Sequence, residues 1–509
     1  MAYIYFKKNG AYFLIILGEL EERLQLNRKR LKDATYCNPL IFNQGGEWPG
    51  DWQGRAILAL ANHYAVTTDL RRKNSIKRQL DDIILNLENH VNEDGYFGDK
   101  LDLELVNEQQ ISGNSWFLRG LCEYYLLFED QKTLALINKI IHNYLLKLIP
   151  AYQKYPNIKR EDGGVGGHLL KKVFNHWQLS SDVGCAYIML DGASHAYQIT
   201  KNKQLSNVID VMIENFLKLD LVENNCQTHA TLSATRGIMR FYQEKRDPVL
   251  LKNVKDIYQI YLNEGMTINY ANINWFGKPS WTEPCAVVDS FILATQLFNE
   301  TQEYKYLRLM NRIYYNALLV GQRKNGGAGC ETCLMHKDTD FKIHLYEAYF
   351  CCSMRLAEGL KYVSTNLAFE NENHITLAIM NDFKHAKFFN QDVDISLQVI
   401  KSELTQLKIT IENSKNIEGY LDIYTPLGIR ISSFSSEIDI DQMIRIPLTS
   451  KVFEITYSIE SHEEKIKGEL VQMQGDHLLM VKKNKHQHEV MTDYTKLNKN
   501  KAIKDIQNL

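Results

Sequence analysis

Two short segments hold residue types that bind soft metals. The first is Trp281-Thr282-Glu283-Pro284-Cys285, and the second is the vicinal pair Cys351-Cys352. Glu283 and Cys285 stand at the mouth of a helix expected over 286–298, and Cys351-Cys352 opens the next helix of the same kind. If those two helix starts are neighbours, three thiolates and one carboxylate form a tetrahedral Zn²⁺ site. A second arrangement uses Cys330-Glu331-Thr332-Cys333, which follows Gly326-Gly327-Ala328-Gly329. A CxxC spacing is itself a zinc or redox signal. Cys330 and Cys333 could complete a four-cysteine site with Cys351 and Cys352 and leave Glu283 free. Spacing leaves both arrangements open, alongside a set of inert buried thiols.

The elements that must position these residues read as helical hairpins up to about residue 362. One helix of each pair is rich in small residues, over 54–65, 115–128, 185–197, 230–242, 286–298 and 353–362. Polar turns such as Thr68-Asp69, Glu129-Asp130 and Lys201-Asn202-Lys203 lead into second helices rich in Leu, Ile and Tyr. Six such hairpins close into a ring, an (α/α)6 barrel with the small-residue helices inside; a helical solenoid is the runner-up. The apolar run 11–17 is at the lower limit for a signal segment and runs into Glu19, Glu21 and Glu22 with no small-residue cleavage site, so it reads as the first turns of a helix. After about 365, short β-branched runs with period-two alternation, as in Phe453-Glu454-Ile455-Thr456-Tyr457, predict a β-sandwich. The expected division is a barrel over 1–364, a sandwich over 365–485 and a polar tail over 486–509.

Composition narrows the class. The 509 residues carry 59 Lys+Arg against 61 Asp+Glu, a net charge of −2, which excludes the basic footprint of nucleic-acid binding. No stretch approaches a membrane span. Five of the nine cysteines fall between 285 and 352, a clustering that suits metal or thiolate chemistry in a reducing compartment, so a cytoplasmic location is expected. A homodimer is an assembly the sequence permits.

Other residues suit a polar cleft. Trp48-Pro49-Gly50-Asp51-Trp52-Gln53-Gly54-Arg55 opens the first inner helix, and Gly163-Gly164-Val165-Gly166-Gly167-His168 reads as a mobile loop before the third. The candidates for sugar binding are His176, Trp177, His229, Tyr270, Asn274 and Trp275, with Trp281 beside them. Histidines would bond hydroxyls and aromatic rings would stack on sugar faces; plain packing is the competing reading for each.

The order Thr282-Glu283-x-Cys285-Ala286, Leu297-Phe298, Tyr314-Tyr315-Asn316, then Cys351-Cys352 with Arg355 close behind, resembles glycoside hydrolase family 127, the β-L-arabinofuranosidases. Thr228-His229-Ala230 upstream fits the same pattern, and the resemblance spans roughly 45–365. It implies a retaining glycosidase acting on a carbohydrate substrate. It implies zinc ligands Glu283, Cys285, Cys351 and Cys352, with Cys351 as the nucleophile. The family also has a general acid/base Glu in a Gly-Glu-x-Phe-Gly context. Here the corresponding stretch is Asn272-Ile273-Asn274-Trp275-Phe276-Gly277, which puts Asn274 at that place. Asn cannot cycle a proton as a carboxylic acid does, so another carboxylate must serve. Glu264 and Glu331 lead the candidates, followed by Glu347 and Asp289. Two alternatives stand beside this reading. One is a metal-independent six-hairpin enzyme, such as a sugar epimerase centred on His176 and His229 or an unsaturated-glycan hydrolase. The other is a non-catalytic carbohydrate-binding protein braced by zinc.

Overall fold

The structure is a computed structural model that describes residues 14–160, 167–335, 346–401, 404–434, 439–440, 443–482 and 487–489. Its helices are α1 (Gly18–Arg30), α2 (Asp51–Val66), α3 (Leu70–Asn86), α4 (Glu108–Phe128), α5 (Gln131–Asn143), α6 (Ile149–Gln153), α7 (Met189–Thr200), α8 (Lys203–Phe216), α9 (Thr228–Lys245), α10 (Pro248–Ile260), α11 (Pro284–Thr301), α12 (Tyr304–Ile313) and α13 (Cys352–Thr365). The inner ring runs α2, α4, α7, α9, α11, α13, and α13 packs back on α2, which closes the barrel.

Three of the hairpin turns share one device. Inner helices α4, α7 and α9 each end on a left-handed residue, Glu129, Lys201 and Arg246. The next residue caps the following outer helix: Asp130 accepts from Thr133 N, Asn202 from Gln204 N, and Asp247 from Val249 N. These caps satisfy free N–H groups and set the reversal of direction, which is why the polar turns were legible. The inner helices are buried on nearly every side, so small residues are needed where they cross. A Cβ on Gly54 would lie 2.1 Å from Phe117 N, and one on Gly237 would lie 2.3 Å from Leu190 C. Both contacts are backbone to backbone and leave no room for a side chain.

Two expectations are corrected here. Ile15–Ile16 is not the start of a helix but a strand that pairs with Phe383–Phe388 of the C-terminal region, with Leu17 N bonding Asp382 O. The helical part also carries a three-stranded sheet, Val106–Asn107, Trp177–Ser180 and Leu169–Phe174. The stretch 163–166 lies outside the described residues, as does 490–509 of the expected tail.

The C-terminal part is β-rich. A six-stranded sheet runs Ile15–Ile16, Phe383–Phe388, Val393–Lys401, Thr405–Asn413, Lys451–Ile459, Ile429–Phe434. A five-stranded sheet contains Tyr420–Tyr424 beside His374–Leu377. A smaller sheet, Ser461–Ile466, Glu469–Gln474, His477–Lys482 and Gln487–Glu489, seats Val471, Met473, Leu478 and Val481 on Ile268 and Leu334 of the barrel. Arg312 locks this joint through Glu464 and Asp476, and Asn316 bonds Asp476 O and Leu478 N.

Candidate active site at the inner-helix N-termini

Every inner helix contributes its N-terminal end to one cavity of about 480 Å³. Asp51 and Arg55 come from α2 and Ser112 from α4. Asp182 and Ile188 lie just before α7, Gln227 and His229 at α9, Glu283 at α11, and Cys351 and Cys352 at α13. Converging helix N-termini present unpaired N–H groups and positive dipole ends, so the cavity floor favours anionic side chains.

The structure brings Glu283, Cys285, Cys351 and Cys352 together, with one ligand atom from each lying within 4.8 Å of the others. Glu283 is the N-cap of α11, and Cys351 is the N-cap of α13. The Sγ of Cys285 lies 3.3 Å from that of Cys352, which lies 3.4 Å from that of Cys351. All are free thiols, far beyond disulfide distance. Cys285 and Cys352 are buried, whereas Cys351 retains exposure to the cavity. Burial opposes ionisation of Cys285. The neighbouring Cys351 and Cys352 thiols and the positive Arg55 and His229 outweigh it and hold Cys285 well below the usual thiol range. This donor set can hold a metal ion. Cys330 lines the same cavity but stands outside this four-residue cluster, and Cys333 bonds Asn272 O instead.

The carboxylate of Glu283 is held from three sides. His229 Nδ1 lies 3.0 Å from Oε1, and Gln227 Nε2 donates to Oε2 at 3.3 Å. Asn274, with its amide turned to satisfy both ends, donates to Oε2 at 2.6 Å and accepts from Trp281 Nε1 at 3.2 Å. Beneath them, Arg55 is held by Asp51 at 2.7 Å and donates to Cys285 Sγ at 3.6 Å. Its guanidinium covers the Trp116 ring at 3.9 Å, and His229 stacks on that ring at 5.7 Å. Deeper still, Arg119, Arg236 and Arg355 interlock with Asp191, Asp289 and Glu358 at the barrel centre. That lattice is buried, and Arg240 adds a fourth guanidinium on Asp191 at 3.1 Å.

Several expected site residues sit elsewhere. Glu264 is exposed in the turn that follows α10, and Lys467 bonds the adjacent carbonyls of Leu262 and Asn263. Glu331 is buried behind the cavity, bonded by Arg323 at 2.8 Å and Thr282 Oγ1 at 3.1 Å. Glu347 ties Arg30 to Ser353, and Asp289 belongs to the arginine lattice. None of the four lines the cavity. His176 sits half-buried in a hairpin turn, paired with Glu104 at 2.9 Å, and does not line the cavity with His229. Trp177 is core, its Nε1 bonded to Ala151 O. Tyr270 accepts from Arg312 Nη1 at the joint between barrel and β region. His229, Asn274 and Trp275 do line the cavity. Sequence reasoning missed Gln227 and Asp182, whereas Asp51 lies in the stretch 48–55 already read as suiting a polar cleft. The signal available was position alone: each stands at the start of an inner helix.

Comparison with known proteins gives a family signal over part of the chain. Residues 218–365 match the family model described as β-L-arabinofuranosidase, GH127 catalytic domain. Among solved structures, a GH127 β-L-arabinofuranosidase from Geobacillus stearothermophilus T6 superposes with a TM-score of 0.66 at 12% identity, covering 92% of this chain and 86% of that one. A GH127 β-arabinofuranosidase superposes with a TM-score of 0.63 at 12% identity, over 94% of this chain and 85% of the other. These likenesses establish the barrel-plus-β architecture. A search of curated proteins found no match.

Proposed function

We propose that this chain, a divergent GH127-like glycoside hydrolase, cleaves glycosides with retention of anomeric configuration through the thiolate of Cys351. The cofactor is Zn²⁺, held by Glu283, Cys285, Cys351 and Cys352. The donor chemistry supports this: three sulfurs and one carboxylate oxygen suit zinc, and no disulfide competes. When bound, zinc keeps coordinated thiols deprotonated at neutral pH. The chain's own residues then divide the work. Gln227, His229 and Asn274 hold the Glu283 carboxylate, and Arg55 faces the Cys285 sulfur. Cys351 attacks the anomeric carbon from the cavity side, forming a thioglycosyl intermediate that water hydrolyses. Trp275 and Trp281, edge to face at 5.5 Å, offer rings to the sugar.

The observation that carries this reading is the exposure of Cys351 to the cavity beside two buried cysteines. The substrate class is a small glycoside of the β-L-arabinofuranoside kind, after the names of the structural neighbours. Thiolate ligands persist best under reducing conditions, which supports a cytoplasmic location for the working protein. No described helix is long and apolar enough to cross a membrane.

The test is Cys351→Ser assayed on 4-nitrophenyl β-L-arabinofuranoside, with zinc content measured on the same sample. The folded, zinc-loaded variant should lose turnover, and the wild type should release the β-anomer first, seen by proton NMR. Wild-type turnover by that variant, or release of the inverted anomer, overturns the thiolate mechanism.

A further inference from the structure

The cavity holds four carboxylates: Glu47, Asp51, Asp182 and Glu283. Three are committed or displaced. Glu283 belongs to the metal-ligand cluster. Asp51 is bound by the Arg55 guanidinium. Glu47 lies exposed on the rim and accepts from Leu169 N at 3.2 Å. Asp182 alone is buried, faces the cavity and has no side-chain hydrogen bond or ion pair on its carboxylate among the described residues. A buried acid without a partner is costly, and its retention calls for a role.

Its placement is built. Ser180 Oγ accepts from Asp182 N at 3.1 Å, and Gln109 Nε2 bonds both Ser180 Oγ and Gly167 O at 2.9 Å. Gly167 O also accepts from Trp48 Nε1 at 3.0 Å. Gly167, at φ +64°, passes so close that a Cβ there would meet Asp182 Oδ2 at 2.9 Å. The carboxylate is thus covered by backbone that carries no side chain, with one direction open.

We propose that Asp182 is the general acid/base of this active site, filling the role for which Asn274 is chemically unfit. The inference rests on the retaining reading above. In the first step the Cys351 Sγ–C1 bond forms and the C1–O bond to the aglycone breaks. The Asp182 proton passes to that oxygen, which leaves as an alcohol. In the second step Asp182 takes a proton from water, the water oxygen bonds C1 and the Sγ–C1 bond breaks, restoring thiolate and acid. Burial, with the Glu283 carboxylate adding to it, pushes Asp182 up to about 7, so both protonation states are accessible near neutral pH.

The experiment compares wild type, Asp182→Ala and Asp182→Asn on 4-nitrophenyl and methyl β-L-arabinofuranosides, with and without sodium azide. Thermal melts and zinc content verify that each variant is folded and loaded; the isosteric Asn variant serves if the Ala variant fails. Methyl glycoside cleavage should fall by about 10²–10⁴-fold. With the nitrophenyl substrate, a rapid burst of nitrophenol should precede slow turnover, because that leaving group needs no acid. Azide should restore turnover and yield a glycosyl azide of retained configuration. Methyl glycoside cleavage within tenfold of wild type, or no azide effect, overturns Asp182. An inverted product from the wild type overturns the retaining reading while the leaving-group dependence still reports on Asp182. A wild type inactive on both substrates overturns both.

Discussion

His229 Nδ1 lies 3.0 Å from Glu283 Oε1, while its other ring nitrogen lies 3.6 Å from Asp289 Oδ2. One imidazole thus links the ligand carboxylate to the arginine lattice at the barrel centre. Such outer partners orient a ligand and tune its basicity.

Substituting His229 by Gln should therefore weaken zinc binding by about 10–100-fold while leaving the fold intact. Competition against a chromophoric chelator measures this directly. Unchanged zinc affinity would show that Glu283 is oriented without the imidazole.

Purified protein should carry close to one equivalent of zinc. Removing it with a strong chelator should abolish turnover and expose Cys351 to iodoacetamide ahead of buried Cys285 and Cys352. Peptide mapping gives the order of modification, and labelling of Cys330 first would point to the other cysteine arrangement.

Asn274→Ala should act on metal affinity rather than on proton transfer, because Asn274 bonds the Glu283 carboxylate. The expected result is a raised zinc dissociation constant, with methyl and nitrophenyl glycosides affected equally. A selective loss on the methyl glycoside would place Asn274 at the leaving group instead.

His63 supplies an acid-sensitive element of stability. It is buried, its Nε2 bonds Asn27 Oδ1 at 2.8 Å, and burial, reinforced by the Arg28 charge, lowers it to about 3. Since the folded state resists a proton that the unfolded chain accepts below ~6.5, stability falls as pH drops from ~6.5 toward 3. Between pH 7 and 4.5 this residue should cost about 2–3 kcal/mol. Urea unfolding of wild type and His63→Gln at both pH values tests it: the variant should lose less. An equal loss in both would assign the acid sensitivity to other groups.

Gly54→Ala should destabilise the barrel by more than about 3 kcal/mol, because the added methyl meets the Phe117 backbone at the α2–α4 crossing. A thermal melt within a few degrees of wild type would show that the two helices can part at little cost.

The six inner helices were legible because small residues mark their length, and α4, α7 and α9 also end on a left-handed residue followed by an Asx cap. Glu283, Cys285, Cys351 and Cys352 could be picked out because thiols and a carboxylate at two helix starts are chemically conspicuous, although spacing alone left Cys330 and Cys333 as rivals. What lay beyond the sequence was which polar groups turn inward from the remaining helix starts. Asp182 and Glu331 are both carboxylates next to the same barrel, yet one faces the cavity without a partner and the other is locked to Arg323 behind it. Asn274 likewise reads as a lost acid until its amide is seen on Glu283. Residue type and helix periodicity are properties of a few neighbouring positions, so the chain alone reveals them. Ionic partnership in these pairs joins side chains 8 and 239 residues apart, Arg323–Glu331 and Arg119–Glu358, and only the closing of the ring decides which charges meet.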